Sequence, residues 1–365
     1  MRVPILSFTF SLAAMAAAAQ QAERFELAGA DVAIYNLAGA VLVEAGKGPV
    51  AVQVTRGGPD AAKLTIERGE IDDRQTLRVR YPADRVIYAG LERGSSTELR
   101  VRDDGTFGDG DYHHDDDDDD RHARHRRHDS DDGRRVRVSG AGDGLAAHAD
   151  LRVQLPVGQE VAIYLAVGRV SVSNVEGRLR VDAHSAPITV TGAKGELSLD
   201  VGSGAVSATG VEGVLVVDTG SGPVEVSRFR GTELTVDTGS GQVTASEVQA
   251  DRLAIETGSG DIRLSSATAP DVVLETGSGG VTADLRSQIA ELKVETGSGD
   301  IAVTGPGSLG AEVEIETSSG DIETDYPLQI TRHARDHLVG RIGDGKGKIA
   351  IETGSGDVRL LKRAS

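Results

Sequence analysis

The chain has 365 residues, a formal net charge of −18, 47 Gly, no Cys, no Trp and only 3% aromatic residues. That length supports one large domain or two ordinary ones around an aliphatic core. Without Cys there is no disulfide framework, thiolate metal site or Cys nucleophile, and the acidic balance argues against a nucleic-acid partner, which needs clustered Lys and Arg.

In chain order, residues 1–19 read as a signal peptide. Arg2 supplies the positive start, Ile5 to Ala19 is an uncharged apolar run too short to span a bilayer comfortably, and Ala17-Ala18-Ala19 offers a small-residue cleavage site. No Cys follows, which excludes a lipoprotein anchor. The expected product is exported, periplasmic or extracellular, with no membrane span after signal removal. Residues 20–102 form an N-terminal β region: the first coils and a cap. Asn36–Val43 resembles Asn174–Val181, which starts the coil logic near residue 30, and Leu77–Pro82 matches Leu151–Pro156, each a strand stopped by Pro. Residues 103–133 hold 13 Asp, 5 His and 4 Arg and cannot build a core, so they read as a disordered insertion.

Residues 134–365 carry the strongest signal. The motif [DE]-T-G-S-G-x-[IV] stands at Asp218–Gly222, Asp237–Gly241, Glu256–Gly260, Glu275–Gly279, Glu295–Gly299 and Glu352–Gly356, with degenerate copies at Asp200–Gly204 and Glu316–Gly320. Its Ser recurs at 185, 203, 221, 240, 259, 278, 298, 319 and 355, in steps of 18, 18, 19, 19, 19, 20, 21 and 36. Such regularity marks a repeat architecture. The last step reads as two periods with one copy erased or replaced by an insertion. Within a repeat, Leu253-Ala254-Ile255-Glu256-Thr257 alternates as a strand, Gly258-Ser259-Gly260 breaks it, and Asp261-Ile262-Arg263-Leu264 alternates again. A unit this small buries its apolar face only against its neighbours. The fold class is therefore all-β: a parallel β-solenoid of 18–20-residue coils, right-handed by the preference of strand twist.

The inward columns expected are Leu234, Leu253, Leu274, Leu292 and Val313; beside them Val236, Ile255, Val294 and Ile315; and beyond the Gly corner Val224, Val243, Ile262, Val281, Ile301, Ile322 and Val358. The corner glycines read as serving the turn angles, with Thr and Ser bonding along the stacked turns. A phosphate cradle is disfavoured because no Lys-Ser or Lys-Thr follows a Gly pair, and Gly343–Lys348 lacks the required hydroxyl. The acidic residues Asp200, Asp218, Asp237, Glu256, Glu275, Glu295, Glu316 and Glu352 should form one outward column. That column is chiefly a solvated face, and more sharply a weak divalent-cation ladder.

The repeated T-G-S-G coils, the Leu-x-Val-x-Leu-Pro strand and the exported N-terminus resemble a bacterial family of β-strand repeat proteins of unknown function whose members are labelled candidate adhesins. The resemblance covers residues 25–102 and 134–361. It implies the repeat architecture and no particular activity.

Three functions compete. The first is an exported, non-enzymatic scaffold or adhesion-type binding module whose partner is an envelope or cell-surface component. The second is a divalent-metal-binding protein using His113, His114, His122, His125 and His128 of the insertion; no cofactor is otherwise expected. His333 and His337 could pair on a helical turn, but read better as insertion-loop residues. The third, least favoured, is a β-helix polysaccharide-active enzyme. Sugar sites use aromatic platforms, and residues 167–365 hold only Phe229 and Tyr326 as aromatics.

Overall fold

The computed structural model describes residues 22–108 and 133–363. Among them are a 24-stranded sheet, a 4-stranded sheet, one 3-10 turn at Ala61–Lys63 and no α-helix. The repeat dictates the large sheet. Leu179 pairs in parallel with Leu197 and Leu197 with Leu215, steps of 18 residues. Leu215 then pairs with Leu234, Leu234 with Leu253 and Leu253 with Val272, steps of 19. Beyond the Gly corner a second parallel column runs Val206, Val224, Val243, Ile262, Val281 and Ile301. Each coil is thus a strand, a Gly corner and a second strand, followed by a left-handed residue that turns the chain toward the next coil. Asn174, Gly192, Gly210, Arg228, Glu247 and Ser266 occupy that turn, with φ between 51° and 67°.

The alternation read from Leu253–Thr257 holds except at Ala254: Leu253, Ile255 and Thr257 are buried and Glu256 is exposed, but the small Ala254 is buried as well. The expected inward residues are buried, except Ile322, which is half-buried at the end of the stack. One assignment shifts: Leu274 pairs with Ile255 and Val294, and Val272 takes its place beside Leu253 and Leu292. The two-residue period fixes the face but not which of two inward positions a Leu fills.

Both ends of the stack depart from chain order. The coil formed by Gly347–Thr353 and Val358–Lys362 does not follow the coil that starts at Ala311. It lies between that coil and the one starting at Glu291: Leu292 pairs with Ile349, and Ile349 with Val313, all in parallel. The step of 36 is therefore not a lost copy. Residues 325–346 build an antiparallel hairpin, Leu328–His333 against His337–Ile342, whose second strand closes the outer edge of Ala311–Thr317, and the chain then returns to fill the slot behind. The other end is arranged alike. The strand Asp31–Gly46 lies between two stretches consecutive in sequence, His148–Pro156 and Glu160–Ser185. Outside it, Arg74–Arg80 and His148–Pro156 extend its two halves, so the two Pro-stopped strands matched in sequence lie on two different faces of one outer coil. Antiparallel strands seal that end, with Thr65–Ile71 on one face and Val50–Gly57 and Glu23–Leu27 on the other. Sealing matters because an open parallel edge invites further pairing.

The coil logic does start near residue 30, but the Asn36–Asn174 alignment is out of frame. Asn36 pairs with Leu165, whereas Asn174 holds a left-handed corner. Asn36 is instead a buried latch. Its Nδ2 donates to Ala149 O (2.7 Å) and Ala38 O (3.1 Å), and Tyr81 donates its hydroxyl to Asn36 Oδ1 at 2.9 Å. The 4-stranded sheet, ordered Ser96–Val101, Arg134–Ser139, Arg85–Ile87 and Leu145–Ala146, carries the segment between residues 101 and 134.

Candidate functional site

The T-G-S-G corner explains its own residues. The first Gly of each motif could not carry a Cβ. On Gly220, Gly239, Gly258, Gly277, Gly297 and Gly354 it would stand 2.4–2.7 Å from the equivalent carbonyl oxygen of the coil behind. On the second Gly, at 222, 241, 260, 279, 299 and 356, the distance is 2.1–2.2 Å. Close approach of neighbouring coils therefore requires the first glycine, and close approach together with a φ of 135–156° requires the second at 222, 241, 260, 299 and 356. The Thr points inward, and from Thr257 onward it bonds across coils, whereas Thr219 donates to Ser221 O of its own corner at 3.4 Å. Thr257 donates to Gly241 O (3.3 Å), Thr276 to Gly260 O (3.0 Å), Thr296 to Gly279 O (3.0 Å), Thr353 to Gly299 O (3.1 Å) and Thr317 to Gly356 O (3.1 Å). Where Asp follows the second Gly, its carboxylate accepts the next coil's N–H: Asp261 from Gly280 (2.9 Å), Asp300 from Asp357 (2.9 Å) and Asp357 from Asp321 (3.0 Å). This Asp ladder was not anticipated; its sequence signal was the recurrence of Asp at that position in four motifs.

The residue before each Thr faces outward. The register stacks Asp182, Asp200, Asp218, Asp237, Glu256, Glu275, Glu295, Glu352 and Glu316 into one row along a sheet face. Rungs of a sheet are roughly 4.8 Å apart, at which two fully hydrated unit charges repel by about 1 kcal/mol. The electrostatics of the row follow. Burial first, then the charges of Asp200 and Asp237, push the Asp218 carboxyl up. Burial first, then Glu275 and Asp237, do the same to Glu256. At Glu275 and Glu295 a cation relieves the row: Lys293 Nζ lies 2.7 Å from Glu275 Oε1 and 3.0 Å from Glu295 Oε1, and bonding to these two carboxylates holds its ammonium well above the usual range. Asp237, Glu256, Glu275, Glu295 and Glu352, with the exposed Gly258, Gly277 and Gly297, line a groove of ≈510 Å³.

Toward the other end the row turns aromatic. Tyr164 and Tyr35 stack with ring centres 4.5 Å apart and 5° between planes, and Phe107 meets Tyr35 edge-on at 5.9 Å. The segment 102–108 covers them, held by Arg78 Nη1 to Asp104 O (2.8 Å) and Arg80 Nη2 to Asp103 O (2.6 Å). It ends with Gly108 against the Tyr164 ring and the Asp182 carboxylate. Composition located these aromatics in the first half of the chain and signalled nothing of their stacking.

The row offers carboxylates in register, with Lys293 between two of them. It presents the same few contacts again and again rather than one converging set of groups. His113, His114, His122, His125 and His128 lie outside the described residues. His333 and His337 occupy the ends of the hairpin strands, not a helical turn, and His337 Nε2 is 3.2 Å from Glu314 Oε1. Gly343–Lys346 is the link between two strands, with Lys346 paired to Asp344 at 3.0 Å. Among the described residues no group of three or more His, Asp or Glu is placed to hold a metal ion, and no helix is long and apolar enough to cross a membrane.

No curated protein matches the chain. Solved structures that do include a candidate cell adhesion protein from Clostridium sporogenes (9% identity, TM-score 0.22, covering 94% of this chain and 99% of that one). Two candidate adhesins, from Parabacteroides merdae (11%, TM-score 0.38) and Parabacteroides distasonis (12%, TM-score 0.35), each cover 94% of this chain and 96% of theirs. The model of the Toastrack DUF4097 family matches residues 151–361, from the strand that abuts Asp31–Gly46 to the coil that returns into the stack. The chain belongs to the Toastrack DUF4097 family.

Proposed function

We propose that this chain is an exported, non-enzymatic adhesion-type binding module. In this reading residues 1–19 are the signal peptide, and the mature protein is a right-handed parallel β-solenoid in the periplasm or outside the cell. Its long face contacts an envelope or cell-surface component. The observation that carries the reading is the register of the acidic row, in which nine carboxylates repeat at the spacing of the coils. A surface that repeats its contacts suits an extended or multivalent partner, since many weak contacts add through effective concentration. Catalysis asks for the opposite arrangement, unlike groups converging on one point. The names of the solved neighbours are compatible with this reading.

The test is binding of the purified chain to envelope fractions and intact cells, compared with a triple variant Asp237→Asn, Glu256→Gln, Glu275→Gln. The wild type should bind, and the variant, which keeps each side chain's size, should bind several-fold more weakly. Equal binding by both removes the row from the contact surface. Absence of any binding by the wild type overturns the reading.

A further inference from the structure

The returning coil is the least ordinary part of the stack. On one side it pairs with Glu291–Thr296, from Glu291↔Lys348 to Thr296↔Thr353. On the other it pairs with Ala311–Thr317, from Ala311↔Gly347 to Thr317↔Thr353. Ile349, Ile351, Val358 and Leu360 complete the core there, each no more than 2% exposed. The contacts that seat it are of the kind made by neighbouring coils: Thr353 to Gly299 O, Asp357 N–H to Asp300 Oδ1 and Thr317 to Gly356 O. Arg363 adds a contact with Asp284 and one with Leu285 O at 3.0 Å.

Its tie to the rest of the chain is slight. The link 343–346 crosses over the start of Ala311–Thr317 and contains Gly343 and Gly345 at φ of 55° and 68°. The other out-of-order strand, Asp31–Gly46, is locked by the buried Asn36–Tyr81 pair. The returning coil is held by repeat contacts and by the half-buried Arg363, which pairs with Asp284.

We propose that two copies of this chain exchange the returning coil, each filling the other's slot between the Glu291 and Ala311 coils. Every contact within the slot is the same whichever copy supplies the coil. The closed monomer and the exchanged dimer then differ in the conformation of residues 343–346 and in the entropy of association, so the balance follows protein concentration. A short, turned link that could relax to an extended one favours such an exchange.

The chain has no Cys, so introduced thiols report cleanly. Glu291 and Lys348 are exposed register partners with Nζ 3.7 Å from Oε1, and directly opposed parallel strands fall within disulfide reach. The full-length double variant Glu291→Cys, Lys348→Cys should form an intrachain disulfide when refolded dilute, which verifies folding and register. The two single variants are then mixed, either as folded proteins or after joint unfolding and refolding at rising concentration, and oxidised. Exchange predicts a covalent heterodimer in the jointly refolded mixture alone, increasing with concentration. No heterodimer, beside a double variant that closes its own disulfide, overturns the proposal. So does equal crosslinking of the folded mixture, which would report surface collision, or a dimer by mass whose double variant closes only within each chain.

Discussion

Substituting Gly260 by Ala puts the packing of the Gly corner to the test. The new Cβ would stand 2.1 Å from the Gly241 carbonyl oxygen and 2.6 Å from its carbon, about 0.9 Å short of the 3.0 Å that real Cβ contacts respect. Both obstacles are backbone, so no side chain can swing away. Either the corner opens or the two coils separate. Separation by that distance lengthens Gly241 N–H to Ser259 O (3.1 Å), Val243 N–H to Asp261 O (3.0 Å) and Thr257 Oγ1 to Gly241 O (3.3 Å) beyond bonding range. At about 0.5–1.5 kcal/mol for each bond, the expected loss is about 3 kcal/mol. The comparison is Gly280→Asp, in the coil ahead. There a Cβ meets nothing nearer than 3.4 Å, and a carboxylate would occupy the ladder position of Asp261 and Asp300, able to accept the Asp300 N–H. It should stabilise by about 0.5–1 kcal/mol. Guanidinium unfolding curves of both variants and the wild type decide the matter. A Gly260→Ala protein within about 0.5 kcal/mol of wild type would refute the reasoning that coil contact, together with the φ of 156° at Gly260, keeps this glycine.

Two further outcomes follow from the geometry. Because Asp218 and Glu256 carry raised pKa values in the folded chain, protonation favours folding, and stability gained through them appears as pH falls from neutral through the carboxylate range. Glu44 and Glu212, held low chiefly by hydrogen bonds from Arg152 and Lys194, act oppositely and lose their contribution as pH falls below the ordinary Glu value. Melting temperature against pH should therefore peak on the mildly acidic side, and the variant Asp218→Asn, Glu256→Gln should flatten the rise; an unchanged profile would contradict the assignment. Glu247 is a non-glycine residue at φ 53°, where an L side chain is strained by roughly 1–2 kcal/mol. Glu247→Gly should leave the melting temperature equal or higher, despite the usual entropy of Gly.

The legibility of this chain divides at the ends of its repeat. Ser203 to Ser298 stepped evenly, and the structure places those coils in the order written. From Ser319 to Ser355 the same arithmetic suggested two periods with one copy erased or replaced by an insertion; the insertion is there as the Leu328–Ile342 hairpin, but the arithmetic does not show the reordering of the coils, because spacing records distance along the chain and not neighbourhood in space. The order of the last two coils rests on which edge each strand meets, Ile349 between Leu292 and Val313, and nothing in the apolar pattern distinguishes one slot from another. Asn36 shows the limit at the other end: it looked like Asn174 because both precede an apolar run, yet one is a buried latch and the other a left-handed corner. The acidic row was legible, since the period of two and the repeat length together fix which side chains share a face. The lysine between Glu275 and Glu295 was not, because Lys293 belongs to no recurring position. The five His of the insertion lie outside the described residues, and the metal reading therefore stands as an expectation.

The threading of the two ends also constrains the order in which the chain can be completed during synthesis. The ribosome delivers Asp31–Gly46 first, yet one of its flanks is supplied by residues 148–156 and the other by residues 160–173. The coil of Gly347–Thr353 and Val358–Lys362 emerges last of the described strands, yet it belongs inside a sheet whose outer rungs were already made. Steady winding from one terminus to the other cannot produce this molecule. The first end can close only after residues through 173 have emerged, and the other only after residues through 362; until then each offers bare strand edges that a holding factor would have reason to cover.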